Sequence, residues 1–385
     1  MTGGRSAAPY AGVMSTGEEL RRRDNNLDAL RLGGALLVVL GHSYVVLAKP
    51  MAPPTIFGQP LHALGVHVFF IISGYLITKS WQRRPDWRSY FAARALRIFP
   101  ALIVAVVLTA FVVGTVFTTL PTSDYLSDPS TWLYLKNALL QPVFGLPGVF
   151  VNLPYPYVLN GSLWTLPVEF ACYLVVPLVL LLPRRLHVPA VGLFALISIA
   201  LHLRVWPDVD VLGFFTSSSV GEPWIFFAGG MLCALLLERH AFRLDVALLG
   251  LFAVTIVSAV DAGLGTYVLW AVLPYSTLAL GLASTPVLRR ASRYGDFSYG
   301  LYIYAFPVQQ VVVATLGVRG IAANAVAVVV ATLVLAALSW HLVEAPALRV
   351  KTRFEKRFPA RRGRRAAVPR VLVGSDVDAG RGPTS

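Results

Sequence analysis

Arg31 and His42 stand eleven positions apart in an otherwise apolar stretch, Leu27 to Tyr44. If the stretch is helical, eleven residues turn through about 1100°, three turns plus about 20°, so both side chains share one face about 16 Å apart along the axis. A single extended ligand is then expected to touch both. An ionisable side chain inside a span is costly and is read first as functional. Glu169, after Trp164-Thr165-Leu166-Pro167-Val168, is a second such group. His42 falls about 18 Å from the inner start of its helix and Glu169 about 8 Å below the outer surface, a comparable depth. A carboxylate facing an imidazole holds it in one tautomer, as a general base needs. The competing reading is a pair of interhelical hydrogen bonds, worth about 1 kcal/mol.

Arg94 and Arg97 lie three apart on one helical face, just before Pro100, which suits an early helical turn. Two guanidinium forks near a helix start suit a phosphate, although loops on the inner side also carry arginine for topology alone. Ser73-Gly74 is a small pair in mid-span that permits either close helix contact or a narrow passage for a ligand. His62 and His67 are five apart where a helical metal pair is spaced by four, and no metal is expected. Cys172 and Cys233 fall in separate spans and read as packing thiols. Asn160-Gly161-Ser162 matches a glycosylation sequon but reads as a tight turn into the next helix. Tyr299, Tyr302 and Tyr304 fit an interfacial aromatic belt.

The elements that must position these residues are membrane helices. The chain has 385 residues, 56% hydrophobic and 14% charged, with a mean hydropathy of +0.66. That is too little charge to coat a soluble core of this size. Apolar runs are found at about 30–48, 62–79, 99–118, 164–183, 188–206, 223–238, 244–261, 264–286, 299–318 and 321–343. The shorter piece 131–140, broken by Lys136 and Asn137, reads as interfacial or re-entrant. Ten spans with both termini in the cytosol leave only Lys49, Lys136, Arg204 and Arg319 of the 33 Lys and Arg outside. Counting 131–140 as an eleventh span would put Arg184, Arg185 and the basic tail outside. The fold class predicted is therefore an all-α polytopic membrane bundle of about ten helices. Residues 1–24 are expected to be a flexible cytosolic N-terminus, 25–350 the transmembrane domain, and 351–385 a disordered basic tail. The net charge of +14 then lies in cytosolic loops and tail, pointing to anionic membrane lipid rather than nucleic acid.

Five stretches in register carry a resemblance. They are Arg31 with His42, Phe69 to Tyr75, Arg94-x-x-Arg97-Ile98-Phe99-Pro100, Gly161 to Glu169, and Phe297 to Tyr302 with Pro307. Together, over Asn25 to Val350, they resemble acyltransferase family 3, bacterial inner-membrane O-acyltransferases of surface polysaccharides, nodulation factors and macrolides. The resemblance implies transfer of an acyl group, commonly acetyl, from cytosolic acyl-CoA as co-substrate, with no bound cofactor. The acceptor would be a hydroxyl of a glycan or lipid-linked sugar. It implies an essential His42, and donor handling by Arg94, Arg97 and Arg31. Ser73 is a further donor-side candidate. Glu169 is expected to orient His42. Many relatives have a histidine where this chain has Ala305, so that position is given no catalytic role. Acylation of a small molecule such as a macrolide is the alternative within the class. A transporter using His, Glu and Arg as a relay is the alternative outside it, although no repeat relates the two halves of the chain.

Overall fold

The computed structural model describes residues 25–350, apart from positions 50, 206, 209, 212–214, 318 and 319. The expected terminal segments, the tail included, lie outside the described residues, as does Arg319.

Helix α1 is Leu27–Val46, α2 Leu61–Arg83 and α3 Trp87–Phe117. At the start of α3, Asp86 Oδ2 accepts from the Ser89 backbone N–H at 2.8 Å, satisfying one of the end donors that a helix leaves open. A π turn at Thr109–Val113 interrupts α3 near its far end. Two short helices follow, α4 Thr122–Ser127 and α5 Pro129–Leu133. A 3₁₀ turn, Tyr134–Leu139, comes next. The piece expected to stop short of crossing is thus two short turns. A second 3₁₀ turn, Gly161–Trp164, leads into α6, Thr165–Leu180. Asn160 is its cap: Oδ1 accepts from Ser162 N–H and Nδ2 donates to Ile303 O, so the residue is buried and serves as the turn its sequence suggested.

The remaining helices are α7 Arg184–His202, α8 Ser217–Leu236, α9 Leu244–Val260 and α10 Ala262–Leu282. Then come α11 Ser298–Leu316 and α12 Ile321–Val350, the latter with a π turn at Trp340–Glu344. Among the described residues, nine helices are long and apolar enough to cross a membrane. The seventh expected span falls on α9, a shorter apolar helix of 17 residues, about 26 Å of axis. Two-residue strand pairs at Thr55–Ile56 with Gln59–Pro60, and at Asp210–Val211 with Phe215–Thr216, are the only named strands in the described residues.

Helices α2 and α11 are the most enclosed of the long helices. Helix α2 is held between α1 and α8, and α11 between α1 and α12. Apolar burial gives no preference for protein over lipid, so close backbone approach through small residues has to decide which helices pair. A methyl group on Gly65 would lie 2.3 Å from Gly34 O, and one on Gly74 would lie 2.2 Å from Phe227 O. These contacts bring α1 and α8 against opposite sides of α2. The Ser73-Gly74 pair therefore has two different surroundings, with Gly74 packing on α8 and buried Ser73 turned to Glu169 of α6 at the wall of an internal cavity. Cys172 and Cys233 are free thiols on α6 and α8.

Candidate active site

A cavity of about 1330 Å³ opens at the end of the bundle where α2 runs into α3. Its α2 wall runs from Arg83 to Val66, seventeen residues or about 26 Å. Seven cationic side chains line it: Arg31, Lys79, Arg83, Arg84, Arg94, Arg97 and Arg239. The carboxylates among its lining are Asp28 and Glu169. Five of the six site residues expected from the sequence are here, namely Arg31, Ser73, Arg94, Arg97 and Glu169. His42 is not.

The two arginines of α3 have different surroundings. Arg97 is held by two carboxylates, Nη2 donating to Asp296 Oδ2 at 2.7 Å and Nη1 to Glu344 Oε2 at 3.3 Å. It also lies over the Tyr299 ring, 5.5 Å from its centroid. Glu344 is buried and accepts from Ser339 Oγ through its other oxygen. Asp296 precedes α11. Burial pushes its carboxyl up, but Arg97, Arg31 and the Ser298 hydroxyl and N–H together hold it below the usual carboxylate range. Arg94 has no ion pair among the described residues. Its guanidinium lies over Tyr90 and Tyr173 at 6.0 and 5.9 Å, and Nε is buried without a hydrogen-bond partner. Arg31 stands 3.5 Å from Asp28, whose other oxygen accepts from Ser292 Oγ. Asp296 and Glu344 are the residues sequence reasoning missed. An acidic residue directly at the end of the last apolar run, 321–343, is the signal that marks Glu344.

Glu169 does not meet His42. Its Oε1 accepts from Ser73 Oγ at 2.8 Å and from Tyr173 OH at 2.5 Å. Comparable depth did not imply contact, because depth leaves open which side of α6 faces which neighbour. His42 stacks on His62, ring centroids 5.4 Å apart with 22° between planes, and meets the edge of Phe306 at 5.2 Å. The close approach of α1 and α2 at Gly41, where an added methyl group would lie 2.6 Å from His62 N, sets the two imidazoles together. Gln309 Nε2 ties α11 to α1 at this level, donating to Val39 O and Ser43 Oγ. The 141–160 segment covers the site through Tyr155, whose ring faces Phe306 at 6.2 Å. Gln310 anchors that segment by donating to Tyr155 O and Val158 O.

The expected common ligand for Arg31 and His42 is thus interrupted. On α2 the outermost lining residue is Val66, one turn short of His62; on α11 it is Tyr302, one turn short of Phe306. Tyr302 meets Phe69 edge-on at 5.7 Å, and its hydroxyl is fixed by Thr165 Oγ1 and Ser162 O. Val66, Phe69 and Tyr302 therefore close the cavity about one helical turn, some 6 Å, before the stacked imidazoles. Tyr302 serves as a buried wall rather than as part of an interfacial belt.

His67, five residues and about 140° from His62, points instead to α8. Its Nε2 lies 3.6 Å from Glu222 Oε2 and its ring stacks on Phe226. Ala305, where many relatives carry a histidine, packs with Ala35, Val39, Leu301 and Val328 in an apolar cluster.

A multi-pass helical bundle with a deep cation-lined cavity beneath a pair of stacked, half-buried histidines defines a membrane protein with an internal binding chamber. The acyltransferase domain family matches residues 24–343, and the chain belongs to that family of acyltransferases. It is 30% identical over 330 residues to an "O-acetyl transferase" of Shigella phage Sf6, covering 84% of this chain and 95% of that protein. It is 31% identical over 355 residues to "Nodulation protein 10" of Rhizobium leguminosarum bv. viciae, covering 85% and 94%. It is 25% identical over 240 residues to "Regulator of hypoxia-inducible factor 1" of Caenorhabditis elegans, covering 56% and 46%. No solved structure matches the chain significantly. The protein is a multi-pass membrane O-acyltransferase.

Proposed function

We propose that the protein carries an acyl group, acetyl in the first instance, from cytosolic acyl-CoA to a hydroxyl of a surface polysaccharide or other glycan at the bacterial inner membrane. The observation that carries this reading is the set of seven Lys and Arg side chains around one deep cavity. A polyphosphate donor with a long neutral arm matches cations at the mouth and an apolar blind end. The positive-inside rule assigns that arginine-rich end to the cytosol, with both termini on the same side. The glycan or lipid-linked sugar then approaches His42 from the outer side.

His42 acts as general base. It takes the proton of the acceptor hydroxyl as the oxygen bonds to the acyl carbon and the C–S bond of the thioester breaks; the thiolate then takes up a proton and leaves as free CoA. Val66, Phe69 and Tyr302 must give way for the thioester to reach the imidazole. Arg94 and Arg31, with the cations of the mouth, neutralise the donor phosphates, while Arg97 holds its neighbouring helices in register.

The direct test incubates the purified full-length protein with acetyl-labelled acetyl-CoA and a glycan extract. Free CoA and labelled glycan in equal amounts are the expected result. Movement of glycan across a membrane with no CoA released would replace this reading with transport.

A further inference from the structure

Glu169 is the one group of the cavity whose charge runs against its surroundings. Phosphate is repelled by a carboxylate, and Asp28, the other acid of the lining, is offset by Arg31 at 3.5 Å. Glu169 has no ion pair among the described residues. Its Oε1 is occupied by Ser73 Oγ and Tyr173 OH. Its Oε2 has no donor among them, although the side chain lines the cavity. A carboxylate held this way, oriented by two hydroxyls with one oxygen open, is an acceptor waiting for a donor.

Its position selects the donor. Ser73, which holds it, lies ten residues inward from Arg83 at the mouth, about 15 Å along α2. Arg94 lies toward the mouth from it, over Tyr173, one turn along α6 from Glu169. A ligand that places phosphates among the outer cations has at Glu169 whatever connects its phosphates to its reacting end. In acyl-CoA that connection is the pantetheine arm, which offers two amide N–H groups and a hydroxyl.

We propose that Glu169, oriented by Ser73 and Tyr173, recognises the amide arm of the donor, and that it does not assist His42. This rests on acyl-CoA being the donor. The residue discriminates pantetheine thioesters from other phosphorylated compounds that the cationic mouth would admit.

The test is calorimetric binding to the full-length protein in detergent micelles, with two probes: acetyl-CoA, and 3′,5′-ADP, which has two of the three phosphates and lacks the arm. For Glu169→Ala the expected result is about tenfold weaker acetyl-CoA binding, the loss of one hydrogen bond to a charged group, with 3′,5′-ADP unchanged. Glu169→Gln keeps an oxygen acceptor of the same shape and should bind acetyl-CoA within about threefold of wild type. Should Glu169→Ala fail to fold, Ser73→Ala is the second variant, expected to weaken acetyl-CoA and spare 3′,5′-ADP. Equal weakening of both probes, or unchanged acetyl-CoA binding with turnover lost in both Glu169 variants, overturns the proposal. Wild-type protein that binds neither probe overturns the donor reading itself.

Discussion

The inner cavity and the outer histidine site share α1, α2 and α11, yet they are built in opposite ways. The cavity is wide and cationic, and its charged side chains come from α1, α2, the turn between α2 and α3, α3, α6 and the loop before α9. The outer site is tight and aromatic: two stacked imidazoles and the edge of Phe306, with no carboxylate among their contacts in the described residues. Binding a large anionic donor calls for space and many donors of hydrogen bonds. Proton abstraction calls for a ring held still and screened from bulk water. One turn of α2 and one turn of α11 separate the two, and Val66, Phe69 and Tyr302 close the cavity on the inner side of that turn. Affinity for the donor and chemical competence are therefore expected to be separable by mutation.

The largest effect should come from His42. His42→Ala is expected to lower acyl transfer by about 10²–10⁴-fold while leaving acetyl-CoA affinity within about twofold. Turnover assays and calorimetry on the same preparation check it, and a matching loss of affinity would erase the division between the two regions. Next come the two arginines, which sharpen the division inside the cavity. Arg97→Ala strands Asp296 and Glu344 and should destabilise the fold by about 3–5 kcal/mol, seen as a lowered thermal midpoint. Arg97→Lys should recover little, because one ammonium cannot reproduce a fork shared by two carboxylates. Arg94→Ala should keep the midpoint and weaken acetyl-CoA binding by about tenfold or more. Equal behaviour of the two variants would contradict the different partners seen here. The smallest effect is expected at the partition: Phe69→Ala should raise acetyl-CoA hydrolysis in the absence of acceptor a few-fold, measured as free CoA. Unchanged hydrolysis would mean that Phe69 does not separate the compartments.

Much of this was legible in the chain. The apolar runs marked every long helix, and the basic residues gathered at one end because charge avoids the bilayer interior. Arg31, Ser73, Arg94, Arg97 and Glu169 were singled out by residue type and position, and all five line one cavity. The partners were not legible. Arg97 is 199 residues from Asp296 and 247 from Glu344. His62 read as half of an unsuitable metal pair, and its meeting with His42 depends on a glycine crossing. Phe306 looked like any apolar residue of a span.

By itself the amino-acid order determined which segments cross the membrane and which face of each helix carries polar groups, since helical period and hydropathy are properties of single segments. Only the packed bundle decided that Glu169 answers to Ser73 and Tyr173, that Arg97 is neutralised while Arg94 is not, and that the face shared by Arg31 and His42 is divided between two compartments. The reason is geometric. A helix fixes directions relative to its own axis, whereas which neighbour lies in that direction depends on rotations and crossings set by close contacts such as Gly34 with Gly65 and Gly41 with His62.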